Sequence, residues 1–156
     1  MKKYVLIILT FVPILAGWLI NVTLSVPLLG MIFFYGLPLL VLVFWFWLGG
    51  RYAETDWGAF PAILIGSATG ILSLIIYLWQ FVGLDEASRN VGLAVWSLMY
   101  STGTLGHLFG VVVTLFFRSQ AASHAMQVIC LALMIIIFSF GFFRNRKHGA
   151  RRKSVA

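Results

Sequence analysis

Between residues 100 and 110, Tyr100, Ser101, Thr102, Thr104 and His107 alternate with Gly103, Gly106 and Gly110 inside an otherwise apolar run. An imidazole among hydroxyls is equipped to relay a proton or to hold a small polar ligand. Ionisable groups at membrane depth are expensive and point to function by default. The plainer reading is a neutral His107 hydrogen-bonded to Thr69, Ser73 or a carbonyl on a partner helix. With each residue advancing about 100° around a helix, Trp96, Tyr100, Gly103, Thr104, His107, Gly110 and Thr114 share one face. Leu98, Leu105, Leu108, Phe109, Val112, Leu115 and Phe116 take the other.

A second run, Ala62 to Gln80, repeats the pattern. Ala62, Gly66, Thr69, Gly70, Ser73, Tyr77 and Gln80 fall together. Gly66 with Gly70, and Gly106 with Gly110, set small residues four apart, a spacing that lets helix backbones approach in lipid. If the chain folds back about Ser88, Gly66 meets Gly110, Gly70 meets His107, Ser73 faces Gly103 and Tyr77 meets Tyr100. The two runs are thus expected to form the tightest helix pair, a seam with a polar pocket around His107, Tyr77, Tyr100 and Gln80.

Other chemistry is sparse. The four acids are Glu54, Asp56, Asp85 and Glu86, and all lie in connectors. The three histidines, His107, His124 and His148, are expected in mid-span, in a connector and in the tail, which is no metal-ligand cluster. The one cysteine, Cys130, permits no intramolecular disulfide and reads as a small buried hydrophobe. There is no nucleophile elbow or phosphate-binding glycine loop. No enzyme, metal site or cofactor is therefore expected.

These residues must be held by elements whose solvent is lipid. The chain is 62% hydrophobic and 10% charged over 156 residues, with a mean hydropathy of +1.02. Soluble domains carry about 25% charged residues. A membrane helix needs about 20 apolar residues, and five runs qualify: Tyr4 to Ile20, Pro27 to Gly49, Phe60 to Gly83, Leu93 to Phe117 and Ala125 to Phe143. Asn21, Thr23 and Ser25 before Pro27 break what is otherwise one continuous run. The start, two lysines before an apolar core, lacks a small-x-small cleavage site and reads as a retained first span. The tripeptide Asn21-Val22-Thr23 matches a glycosylation acceptor only as three residues match by chance. Pro13 and Pro38 lie inside the first two spans and are expected to kink them. Trp18, Trp45, Trp47, Trp57, Trp79 and Trp96 fall near span ends, where amphipathic rings sit at headgroup level.

The fold class expected is all-α: a polytopic transmembrane bundle of five helices, or four if both chain ends share a side. Residues 1–143 form one membrane domain and residues 144–156 a basic tail. Net charge is +7, and six cations, Arg144, Arg146, Lys147, Arg151, Arg152 and Lys153, lie in that tail. Basic residues beyond a last span mark the cytoplasmic side, so the expectation is a cell-membrane protein with the C-terminus inside and the N-terminus outside. Lys2 and Lys3 pull against that orientation. The tail is expected to contact anionic lipid headgroups rather than nucleic acid. The leading functional expectation is a non-enzymatic accessory subunit or self-associating component, contacting the bilayer and a second copy or another membrane protein. The alternative is a small-solute or proton-coupled transporter built on the pocket near His107.

Overall fold

The computed structural model describes residues 2–106 and 119–153, and for 119–122 and 148–153 the backbone alone. Every regular element among them is helical: α1 (Lys3–Leu9), α2 (Val12–Thr23), α3 (Pro27–Tyr52), α4 (Ala59–Gly66), α5 (Ala68–Phe81), a 3-10 turn (Glu86–Ser88), α6 (Val91–Thr102) and α7 (Ser119–Lys153).

Three helical segments are long and apolar enough to cross a membrane: Lys3–Thr23, Pro27–Tyr52 and Ser123–Lys147. A fourth is available if α4 and α5, bent by 54° at Ser67, count as one span. Among the described residues a fifth span is not shown. The expected helix over Leu93 to Phe117 ends at Thr102 and passes into a turn over 103–105, and residues 107–118 lie outside those described.

Among the described residues the most extensive packing joins α3 to α7, ahead of α5 with α6. Gly49 lies against the backbone of Phe138, and Gly141 against that of Phe46; a methyl at either would overlap a carbonyl oxygen. Missing side chains thus bring the two backbones into contact, which in lipid gains dispersion energy where no hydrophobic drive exists. Trp45 and Tyr52 close on Phe138, with ring centroids 6.0 and 5.2 Å away. The Asn145 amide donates to the Gly50 carbonyl at 2.9 Å. The same device joins α2 to α6, where Gly17 faces the Met99 carbonyl and Gly103 faces the Pro13 carbonyl.

α5 and α6 are neighbours in a different register. Gln80 Oε1 accepts from the Asn90 backbone N–H at 2.8 Å, and Gly70 lies under the Tyr100 ring, so the hairpin pivots about Asp85, three residues before Ser88. Ser73 therefore does not face Gly103, nor does Tyr77 meet Tyr100. The cause is local: Asn90 caps α6 by accepting from Leu93 N–H, and Arg89 Nε donates to the Gln80 carbonyl at 3.0 Å, pinning α6 early.

The contacts also place the chain ends. Lys3 pairs with Asp56 at 3.4 Å, beside the α3–α4 link, and Asn145 reaches Gly50 at the end of α3. Both termini of the described chain therefore lie at one end of the bundle, the tail end. The α5–α6 link and the start of α7 lie at the other end, where Tyr77 meets His124.

Candidate functional site

Three interrupted helices meet in the interior, each broken for a legible reason. Pro13 has no N–H to give the Leu9 carbonyl, and the helix lapses at Thr10 and Phe11 before α2 begins. α4 and α5 part at Gly66–Ser67, the small pair at which helices commonly kink, with the Phe138 ring seated against Gly66. α6 runs out in a Ser-Thr-Gly-Thr stretch, where the Ser101 hydroxyl donates back to the Leu98 carbonyl and the Thr104 hydroxyl to the Ser101 carbonyl, as Ser97 does to Ala94 one turn earlier. Such back-bonding competes with the helix ladder. Pro38 does not interrupt α3.

The breaks touch one another. The Thr69 hydroxyl, at the start of α5, donates 2.7 Å to the Thr10 carbonyl in the first break. Gly103, capping α6, packs on Pro13 and Gly17 just after that break, and Gly70 receives the Tyr100 ring. Irregular backbone at membrane depth is tolerated where protein buries it or where it lines a polar cavity.

From this junction a polar tract runs toward the α5–α6 end along the inward stripe of α7. His124 Nδ1 shares a hydrogen bond of 2.9 Å with the Tyr77 hydroxyl. One turn on, Gln127 Nε2 donates to Ser101 Oγ at 2.7 Å, a buried bond between side chains of α7 and α6. The next turn brings Cys130, wholly buried. Further along, the stripe turns apolar with Met134, Phe138 and Phe142.

Several buried polar atoms along this path have no hydrogen-bond partner: Ser67 Oγ, Ser73 Oγ, Tyr100 OH and Gln80 Nε2. Tyr100 and Ser73 are each 2% exposed. Trp45 Nε1 and Tyr52 OH, between α3 and α7, are in the same condition. An unsatisfied buried group costs about 1–3 kcal/mol, so a run of them is a place where a bound polar species recovers free energy.

Of the residues singled out from sequence, Gly66, Gly70, Ser73, Tyr77 and Gln80 form one buried face of α4–α5 with Ala62 and Thr69. Tyr100, Gly103, Thr104 and Gly106 are buried too, and a methyl on Gly106 would meet Ser101 of its own segment. Gly66 and Gly70 receive rings rather than a backbone, so they act as sockets. Trp96, expected on the inward face, is 42% exposed, and Leu105, expected outward, is 7% exposed. Ser97 and Ser101 take the inward positions because α6 is wedged between α2 and α5. His107 and Gly110 lie outside the described residues. Arg144, Arg146 and Lys147 are exposed at the tail end; Arg151, Arg152 and Lys153 continue α7, described by backbone alone.

Sequence reasoning missed His124, Gln127, Ser101 and Thr10. His124 falls in a connector if the last span begins at Ala125. The spacing 124, 127, 131, 134, 138 is nevertheless one helix face, and that was the available signal. Among the described residues no group of three or more His, Cys, Asp or Glu side chains is placed to hold a metal ion. Comparison with known proteins finds no family model, no curated protein and no solved structure that matches the chain.

Proposed function

We propose that this chain is a multi-pass membrane protein that binds a small polar solute, or passes protons, at the junction of its interrupted helices, entering by the tract that His124 and Tyr77 guard. The observation that carries this reading is the set of partnerless, buried Ser67, Ser73 and Tyr100 atoms near the two helix breaks and the end of α6, with the partnerless Gln80 amide nitrogen at the α5–α6 end of the same face. Transporters commonly build their sites from discontinuous helices near mid-membrane. The pocket of the transport expectation thus moves from His107 to Tyr100 and His124.

In this reading the chain crosses four times: Lys3–Thr23, α3, α4 with α5, and α7. α6 enters from the α5–α6 end, reaches the level of Pro13 and Gly17, and the chain resumes at α7 beside the end it entered. Both termini then share a side. Lys2, Lys3 and Arg51 join the six tail cations, so nine of the eleven basic residues gather at the tail end, which the positive-inside rule makes cytoplasmic. The lysines that opposed the five-span orientation now support the four-span one.

The test is flux and binding in proteoliposomes. A pH-sensitive dye reports proton entry under an imposed potential, and a thermal-shift panel of small neutral and cationic solutes reports binding. Flux or binding lost in Tyr100→Phe and Ser73→Ala, in variants that remain monodisperse, supports the reading. A protein that conducts nothing and is shifted by no solute overturns it.

An accessory or self-associating role is the second reading. It is favoured by an open apolar groove of about 570 Å³ between α2 and α6, lined by Phe11, Trp18, Val95, Trp96 and Met99 among others. Two differently tagged copies that co-purify, and separate in Trp18→Ala/Trp96→Ala, would support it.

A further inference from the structure

The outward face of α7 carries a second feature, independent of the interior site. Ile136, Phe140 and Phe143 are 59%, 70% and 48% exposed. With Ser139 they line a groove of about 550 Å³ that ends on Arg144 and Lys147. Positions 136, 140, 143 and 147 follow helical spacing, so the apolar strip and its cationic end share one face.

Arg144 is held, and among the described residues no carboxylate pairs with Arg144 or Lys147. The Arg144 guanidinium lies 5.7 Å from the Phe46 ring centroid, a cation–π contact that fixes it without cancelling its charge. The acids at this end are engaged elsewhere, Asp56 with Lys3 and Glu54 with Arg51. Asp85 and Glu86 lie in the link at the opposite end. Two positive charges a turn apart therefore face outward where the apolar length of α7 stops. That is headgroup level for a helix that spans.

We infer that this groove is a binding site for an anionic phospholipid, its phosphate between Arg144 and Lys147 and an acyl chain along Phe143, Phe140 and Ile136. Charge and shape both select this occupant. A zwitterionic headgroup brings a cation of its own toward Arg144, and a free phosphate leaves the apolar strip uncovered. The site is narrower than general attraction to a basic tail, because it assigns the preference to two of the six tail cations.

The experiment exchanges lipids on the purified full chain and reads retained lipid by native mass spectrometry, with phosphatidylglycerol and phosphatidylcholine in equal amounts. The wild type is expected to retain phosphatidylglycerol selectively. R144Q/K147Q is expected to lose that selectivity by roughly thirtyfold, two basic groups each contributing near the surface. R151Q/R152Q, which removes as much charge, is expected to keep it. Equal losses in the two variants would mean diffuse attraction and overturn the site, as would an unchanged R144Q/K147Q. Should R144Q/K147Q not fold, competition on the wild type decides: glycerol phosphate failing to displace the lipid supports the groove, and full displacement overturns it. None of these outcomes depends on solute or proton flux.

Discussion

Replacing Thr69 by valine keeps the shape and β-branching of the side chain and removes one proton donor. That donor reaches the Thr10 carbonyl at 2.7 Å, between residues 59 positions apart, in a buried contact. Polar interactions between membrane helices average about 0.6 kcal/mol, with a maximum near 1.7. A carbonyl left unpaired away from water adds toward the 1–3 kcal/mol range. The Thr10 carbonyl lies in a helix break, so the expected loss is about 1–2 kcal/mol. At roughly 2–4 °C per kcal/mol for a chain this long, the midpoint should fall by roughly 2–8 °C. Thermal unfolding in detergent, followed by intrinsic tryptophan fluorescence, reads the shift. Thr69→Ser retains the hydroxyl and should recover most of it. If Thr69→Val unfolds with the wild type, or if Thr69→Ser falls as far as valine, the hydroxyl does not tie the two breaks together and the junction is wrongly built.

Four further outcomes follow from the packing. Gly103→Ala places a methyl into the Pro13 carbonyl and should destabilise by about 1–3 kcal/mol, the usual cost of overpacking. Gly36→Ala, with nothing within 4 Å of the added carbon, should instead stabilise α3 by up to about 1 kcal/mol; the same thermal assay compares them. A double-mutant cycle of Tyr77→Phe and His124→Phe should show a coupling of about 0.5–1.5 kcal/mol, whereas additivity would dissolve the pair. Cys130, wholly buried, should resist a water-soluble maleimide in the folded protein and react fully after denaturation in SDS.

Much of this was legible because helical periodicity survives in lipid. The inward face of α4–α5 could be read residue by residue, since small and hydroxyl side chains alternate there with Leu64, Leu72, Ile75 and Trp79, all of which are exposed. The helix pairings were not legible. Gly17 with Gly103 and Gly49 with Gly141 are far apart in the sequence, and pairing them needs the approach of distant segments that no local spacing encodes. The register of α5 against α6 depended on Arg89 and Asn90 reaching back to Gln80, polar contacts that an apolar ruler ignores. The break in the expected fourth span was hidden for a related reason. The run of 25 residues after Gly92 suffices to cross by length, yet the hydroxyls and Gly103 stop α6 at Thr102.

The account stands most directly on where the two ends of the chain lie. Paired compartment reporters, one fused before Met1 and one after Ala156, should give the same sidedness in intact cells, with both ends in the cytoplasm. Opposite sidedness would contradict the ion pair of Lys3 with Asp56 and the contact of Asn145 with Gly50 as features of one end of the bundle, and with them the interrupted-helix site.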